Sequence, residues 1–172
     1  MRNRGFSLVE MLVVIAIIGI ILSIAIPNYN STMTKTNMEK ETKELHSTIV
    51  NARLAAMQNK QPGALYLGPS QYVYKVYTSL DYSSLYATTP TGFKTVNTTA
   101  FPYTLQKKSG STLNVLDVTS DKILFDVRGF TLNNMTLVVT PVSYGGGDNC
   151  IVVSTARTNI GRMENVSTCN IR

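Results

Sequence analysis

The first 27 residues, MRNRGFSLVEMLVVIAIIGIILSIAIP at 1–27, determine the architecture that this sequence predicts. A short basic leader ends at Gly5 and is followed by an apolar run that only Glu10 interrupts. As a helix, residues 6–26 would be roughly 31 Å long, which is about the thickness of the hydrocarbon core of a bilayer. The run therefore predicts a membrane-spanning helix.

The basic residues on either side of this run predict its orientation. Arg2 and Arg4 precede it, and the next basic residue after it is Lys35. Segments rich in Lys and Arg stay on the cytoplasmic side of a membrane. We therefore expect a single-pass protein of the inner membrane, with its N-terminus in the cytoplasm and its globular part in the periplasm.

Glu10 is the unusual residue of the run, because an ionised carboxylate inside a bilayer is costly unless it has a partner. The one nearby cation is Arg4, which lies in the leader. The alternative to a spanning helix is an ordinary secretory signal with a small-x-small cleavage site at Ser23 and Ala25. That alternative explains neither Glu10 nor the junction between Gly5 and Phe6.

The segment GFSLVEMLVVIAIIGI at 5–20 closely resembles the processing and assembly motif of type IV pilins and type II secretion pseudopilins. The resemblance implies that a prepilin peptidase cleaves between Gly5 and Phe6 and methylates the new N-terminus of Phe6. It also implies that Glu10 pairs with the N-terminal amine of a neighbouring subunit in a filament. The expected partners are thus prepilin peptidase, other pilin or pseudopilin subunits and the inner membrane.

The rest of the chain predicts an α+β fold in which one long helix packs on an antiparallel sheet. The helix is expected to continue to about residue 59 and to end at Pro62-Gly63. Its second half has one apolar face, formed by Met38, Leu45, Ile49, Ala52 and Ala56. We predict four parts: a cleaved leader at 1–5, a transmembrane and filament-core segment at 6–27, an amphipathic continuation at 28–61, and a β-rich globular domain at 62–172.

Short β-rich runs separated by turn residues follow the helix. Each run alternates in polarity and has one face to cover, which the apolar face of the helix would do. Residues 78–100, rich in Ser, Thr and Tyr, are predicted to be a loop. Six strands are predicted, at 71–77, 112–118, 122–127, 135–140, 151–155 and 159–166.

Three later segments resemble the GspH/FimT family of minor pilins and pseudopilins. They are IVNARLAAMQNKQ at 49–61, ILFDVRG at 123–129 and CIVVSTARTNIGRM at 150–163. In that family a helix carries Ala-Arg-x-x-Ala, a strand ends in Phe-Asp-x-x-Gly, and a closing hairpin ends in Gly-Arg. The matching positions are Ala52, Arg53 and Ala56, then Phe125, Asp126 and Gly129, and finally Gly161 and Arg162.

The chain has two cysteines, Cys150 and Cys169, and one histidine, His46. An even number of cysteines in an exported protein predicts one disulfide, which the chain-entropy model values at about 3 kcal/mol. Two free buried thiols are the alternative. His46 is predicted to be a solvated residue of the helix. A Cys/His site would therefore lack ligands, and no metal or other cofactor is expected.

DNA binding is the main alternative function. FimT-like subunits of natural transformation resemble one another in a C-terminal Gly-Arg-x-Arg, whose two guanidinium groups supply phosphate contacts. Here Glu164 occupies the position of the second arginine. Arg157, Arg162 and Arg172 remain as a loose basic group, so only weak contact with DNA is predicted from them.

The sequence offers little for catalysis, since it contains no Gly-x-Ser-x-Gly or other nucleophile motif and His46 is its one conventional base. A structural subunit is expected, and a secreted enzyme is the remaining alternative. Asp117, Asp121 and Asp126 lack the spacing of a calcium loop and are predicted to be turn or strand-edge residues. The net charge of +6 is mildly basic and does not by itself indicate a nucleic-acid-binding protein.

Overall fold

The computed structural model describes residues 7–78, 92–142 and 146–171, so Gly5, Phe6 and Arg172 lie outside the described residues. In the described part of the chain, one long helix, α1, precedes ten strands. The bounds are α1 Leu8–Asn59, β1 Gly63–Leu67, β2 Gln71–Tyr77, β3 Phe93–Ala100, β4 Thr104–Ser109, β5 Thr112–Val115, β6 Lys122–Phe125, β7 Met135–Thr140, β8 Cys150–Val153, β9 Thr158–Asn165 and β10 Thr168–Ile171.

Residues 1–36 and 37–172 form two separate compact units, and α1 contributes to both. In the first unit every side chain that the structure describes is exposed, including the large apolar ones from Leu8 to Ile26. Within the described ranges α1 is the one helix long and apolar enough to cross a membrane. A core helix of a soluble protein can meet the same criterion, but this apolar window is unburied.

The second unit is built around the predicted apolar face of α1. Met38, Leu45, Ile49, Ala52 and Ala56 are all buried, and they share one cluster with apolar residues of both sheets. Thr42 is buried on the same face, and its hydroxyl donates to the carbonyl oxygen of Met38 at 2.7 Å. Burying a large aliphatic side chain stabilises a fold by about 1.5–3 kcal/mol. This cluster therefore stabilises the second unit.

The strands form two antiparallel sheets. The first has four strands in the order β3-β2-β1-β6, and the second has six in the order β10-β9-β8-β7-β4-β5. Leu65 and Leu67 of β1 face the main cluster, whereas Ala64 and Tyr66 join a smaller cluster with Leu124. Because side chains alternate along a strand, the first sheet has apolar residues on both faces.

The predicted α+β fold is confirmed, with α1 ending at Asn59 as expected. Lys60 has φ 53°, a left-handed conformation that ends many helices. The strands expected at 71–77 and 135–140 match β2 and β7 exactly. The other four are found with ends displaced by up to three residues, as β5, β6, β8 and β9.

The prediction of a loop at 78–100 is wrong for residues 93–100, where β3 pairs along all of β2, and residues 79–91 lie outside the described residues. Thr and Asn dominate β3, and Val96, its one large apolar residue between Lys94 and Ala100, is 60% exposed. An edge strand with two polar faces lacks the alternation of apolar and polar residues by which strands are predicted from sequence. Strand β1 was missed for the opposite reason, since all five of its residues are buried.

Candidate functional site

Glu10 lies in the first turn of α1, surrounded in sequence by exposed apolar residues. A carboxylate near a helix N-terminus interacts favourably with the helix dipole, by about 0.3–1 kcal/mol. In the described residues the Glu10 carboxylate has neither an ion-pair nor a hydrogen-bond partner. It is thus available to a cation from outside the described chain.

Arg53 joins α1 to the turn between β8 and β9. Its Nη2 donates to the carbonyl oxygen of Ser154 at 3.3 Å and to the Thr158 hydroxyl at 3.1 Å. Its guanidinium carbon lies 5.9 Å from the centre of the Phe125 ring. Burial lowers the pKa of Arg53 from its usual value. The arginine of the Ala-Arg-x-x-Ala segment is therefore a structural cross-link between the helix and the second sheet.

His46 reinforces this cross-link, and its prediction as a solvated residue is wrong. It is half-buried, and its Nε2 lies 3.0 Å from the carbonyl oxygen of Thr158. The charged residues near His46 in sequence suggested a solvated face. His46 is seven residues before Arg53, however, and this spacing of two helical turns puts both on the side facing β9. Sequence reasoning also missed Ser154 and Thr158, which carry no distinctive pattern.

The Phe-Asp-x-x-Gly segment forms a turn that contacts the same part of α1. The Asp126 carboxylate accepts hydrogen bonds from the backbone N–H groups of Arg128 and Phe130 at 2.9 and 2.7 Å. Gly129 has φ 80°, and a Cβ there would lie 2.7 Å from Cγ of Met57 and 3.1 Å from Cγ of Arg53. The glycine is thus required both by its backbone conformation and by its close approach to the helix.

The predicted disulfide is confirmed, and it explains Gly161. Cys150 on β8 bonds to Cys169 on β10, although β9 lies between these strands. Their Cα atoms are 6.2 Å apart, whereas alternate strands of a flat sheet are about 9.6 Å apart. The sheet therefore bends sharply at β9, beside a register shift at Thr168/Cys169. Gly161 lies under the bond, where a Cβ would meet the Asn170 carbonyl oxygen and the Cys169 sulfur.

The described arginines of the basic group do not form one patch. Arg157 is exposed in the β8–β9 turn, and Arg162 is half-buried on β9. They are five positions apart in sequence, which corresponds to roughly 16 Å along an extended strand. Arg162 shares a small cavity of about 170 Å³ with Glu164 and Asn170, and the Asn170 amide donates to Glu164 at 2.6 Å. Nothing in this arrangement favours DNA contact.

The three aspartates have the structural roles that were predicted. Asp117 caps a turn by accepting hydrogen bonds from the backbone N–H and hydroxyl of Thr119, which lower its pKa. Asp121 pairs with Lys107 at 3.3 Å, and Asp126 closes its own turn. Among the residues that the structure describes, no three His, Cys, Asp or Glu side chains come together in a way that could hold a metal ion.

Comparison with known proteins gives matches to part of the chain. Residues 1–26 match the family model described as the prokaryotic N-terminal methylation motif. The chain is 34% identical over 59 residues to a fimbrial protein of Pseudomonas aeruginosa, covering 34% of this chain and 38% of that protein. It is 64% identical over 28 residues to the type IV major pilin protein PilA of Myxococcus xanthus, covering 16% and 13%.

A third relative is the fimbrial protein EcpB of Eikenella corrodens, 45% identical over 47 residues, covering 27% of this chain and 30% of that protein. The matches thus span less than half the length of these curated relatives. No solved structure gives a significant match. The relatives are named as fimbrial and pilin proteins and not as enzymes, which agrees with the predicted structural role.

Replacing Arg53 by Met should lower the free energy of unfolding by about 1–3 kcal/mol, because the Ser154 carbonyl and Thr158 hydroxyl lose their donor. Arg128→Met is the control, since this side chain is 73% exposed and pairs with Asp126 at the surface. It should cost less than about 1 kcal/mol. Urea unfolding of the full chain in detergent would measure both. Equal effects would contradict the role given to Arg53.

Gly129→Ala should destabilise the second unit more than Gly110→Ala does. Both glycines have positive φ, but a Cβ at Gly110 meets nothing within 4 Å, whereas one at Gly129 meets Met57 and Arg53. The free energy of unfolding lost in Gly110→Ala therefore reports backbone strain alone, about 1 kcal/mol. The additional loss in Gly129→Ala reports the close approach of residue 129 to α1. Thermal unfolding followed by circular dichroism should place Gly129→Ala several degrees below the control. Identical midpoints would refute this packing.

Proposed function

We propose that this chain is a type IV pilin-like structural subunit, which is cleaved after Gly5 and assembled into a filament through its N-terminal helix. More specifically, we propose that the chain is a minor pilin or pseudopilin of the GspH/FimT type. The observation that carries the assembly role is the exposed apolar segment of α1, which contains one carboxylate, Glu10.

The apolar segment requires a second environment to bury it. Its large side chains, from Leu8 to Ile26, are 42–80% exposed. Each buried aliphatic side chain contributes about 1.5–3 kcal/mol, so transfer of the segment out of water is strongly favourable. Before assembly the bilayer would cover it, and in a filament the equivalent helices of neighbouring subunits would do so. One segment therefore serves both as membrane anchor and as filament core.

The distribution of basic residues supports the proposed topology and division of the chain. Arg2 and Arg4 lie at one end of the run and Lys35 beyond the other, which favours a cytoplasmic N-terminus and a periplasmic globular domain. On this proposal prepilin peptidase removes the leader at 1–5. Residues 6–27 then form the core segment, 28–61 the amphipathic helix and 62–172 the globular domain.

The pairing partner proposed for Glu10 is the N-terminal amine of Phe6 on a neighbouring subunit. Cleavage creates a positive charge at Phe6, four residues before Glu10, and methylation leaves that charge in place. In an apolar filament core the attraction between the two charges is much stronger than in water, and it offsets the cost of removing the carboxylate from water. A subunit that carries Glu10 is therefore able to sit beneath another subunit.

The subfamily proposal is supported by the way the three resembling segments meet. Arg53 contacts the β8–β9 turn, Gly129 packs on Arg53 and Met57, and Gly161 accommodates the disulfide. Arg53, Gly129 and Gly161 thus each have a structural reason to be present. The three segments therefore connect α1 with the β8–β9 turn and the second sheet.

Processing predicts that the mature protein begins with N-methylated Phe6, which mass spectrometry of membrane or filament protein would detect. Gly5→Leu should leave the precursor uncleaved, because a bulky side chain would obstruct the cut. Gly19→Leu is the control, since it adds the same side chain within the apolar run, where nothing lies within 4 Å. A mature N-terminus at Ile26, or an intact leader in cells with active prepilin peptidase, would refute the proposed processing.

Glu10→Ala should leave membrane insertion and cleavage intact, because the anchor becomes more apolar, but it should reduce incorporation into filaments tenfold or more. Loss of about 1.4 kcal/mol per subunit contact already corresponds to tenfold. Glu44→Ala is the control, because Glu44 is an exposed carboxylate of α1 in the second unit. Quantitative immunoblotting of sheared filaments against membranes measures incorporation. Wild-type incorporation of cleaved Glu10→Ala would exclude the proposed pair.

A further inference from the structure

A groove of about 530 Å³ lies on the first sheet, on the face that does not pack against α1. Tyr66 and Val73 form part of its floor, and they belong to the smaller apolar cluster on that face. The groove also contains side chains of the edge strand β3, which carries Thr95 and Thr98. All of its lining residues belong to the second unit.

Lys75 supplies the positive charge of the groove. Its ammonium lies 4.2 Å from the centre of the Tyr66 ring, and the ammonium of Lys122 lies 5.8 Å from the same centre. None of the described residues that line the groove is acidic. No carboxylate pairs with Lys75 in the part of the chain that the structure describes. The groove therefore favours an anionic group near Lys75.

The other polar groups in the groove are neutral. Gln71 offers an amide, and Thr95, Thr98 and Thr119 offer hydroxyls. The Thr119 hydroxyl already donates to Asp117 at 2.8 Å, so its oxygen remains as an acceptor.

The Lys75 ammonium lines the groove, the Lys122 ammonium lies near the same Tyr66 ring, and several neutral donors and acceptors surround them. This combination fits a ligand that has a negative charge and many hydroxyls. We propose that this groove binds a carboxylate-bearing sugar, such as a uronic acid unit, a role that goes beyond filament assembly.

A nucleic acid fits the same groove less well. Duplex DNA carries one charge per about 1.7 Å of its axis, and proteins that bind it present arrays of Lys and Arg. Only Lys75 provides a cation among the described lining residues. Single-strand binders stack bases on exposed aromatic rings, whereas Tyr66 is 4% exposed. An acidic sugar therefore matches the charge of the groove better.

The test is ligand-observed NMR titration of the full chain in detergent with glucuronic acid, its uncharged methyl ester, glucose and a short DNA duplex. Lys75→Met should weaken glucuronate binding about tenfold, because a charge-assisted hydrogen bond is lost. Lys75→Arg should retain most of it. Lys94→Met is the matched control: Lys94 pairs in register with Val76, so its side chain lies on the other face of the sheet, and binding should change less than twofold.

The expected order of affinity is glucuronate first, with the ester and glucose at least about tenfold weaker. Circular dichroism of each variant confirms that it is folded. The proposal is overturned if glucuronate does not bind, if glucose binds equally well, or if folded Lys75→Met binds as the wild type does. Binding of the DNA duplex in place of glucuronate would also overturn it.

Discussion

The feature on which the rest depends is a carboxylate in an apolar helical segment whose described side chains are exposed. In water, the exposed side chains from Leu8 to Ile26 would drive aggregation. In lipid, Glu10 would be an isolated charge with no partner in the described chain. An oligomer in which another subunit supplies both apolar surface and a cation resolves the two problems together. This is why we propose that the N-terminal segment mediates assembly.

In the second unit, the same helix carries a globular domain, which packs on it through specific contacts. Small residues on α1, Ala52 and Ala56, are buried against the core, and Arg53 between them is directed to the β8–β9 turn. Gly129 fits against that part of the helix, and the disulfide fixes the bend of the second sheet at Gly161. Within residues 37–172, these contacts thus hold the globular domain to α1.

Local spacing was sufficient to predict α1, its buried face and the strands with clear alternation, since these depend on residues close in sequence. It failed for β1, buried throughout, and for the polar edge strand β3, where neighbouring strands decide the structure. The disulfide followed from cysteine count, but the bend that it imposes did not. The groove at Lys75 and Tyr66 could not be predicted from the sequence either, because the register of β1 and β2 brings these residues together.

The most direct measurement is zero-length cross-linking of isolated filaments with a hydrophobic carbodiimide, followed by mass spectrometry. If assembly depends on the proposed ion pair, an amide bond should join the amine of Phe6 on one subunit to the carboxyl of Glu10 on another. The product should be absent from Glu10→Gln. Filaments that contain this chain, with Glu10 modified by the reagent while the Phe6 amine stays free, would contradict the central claim.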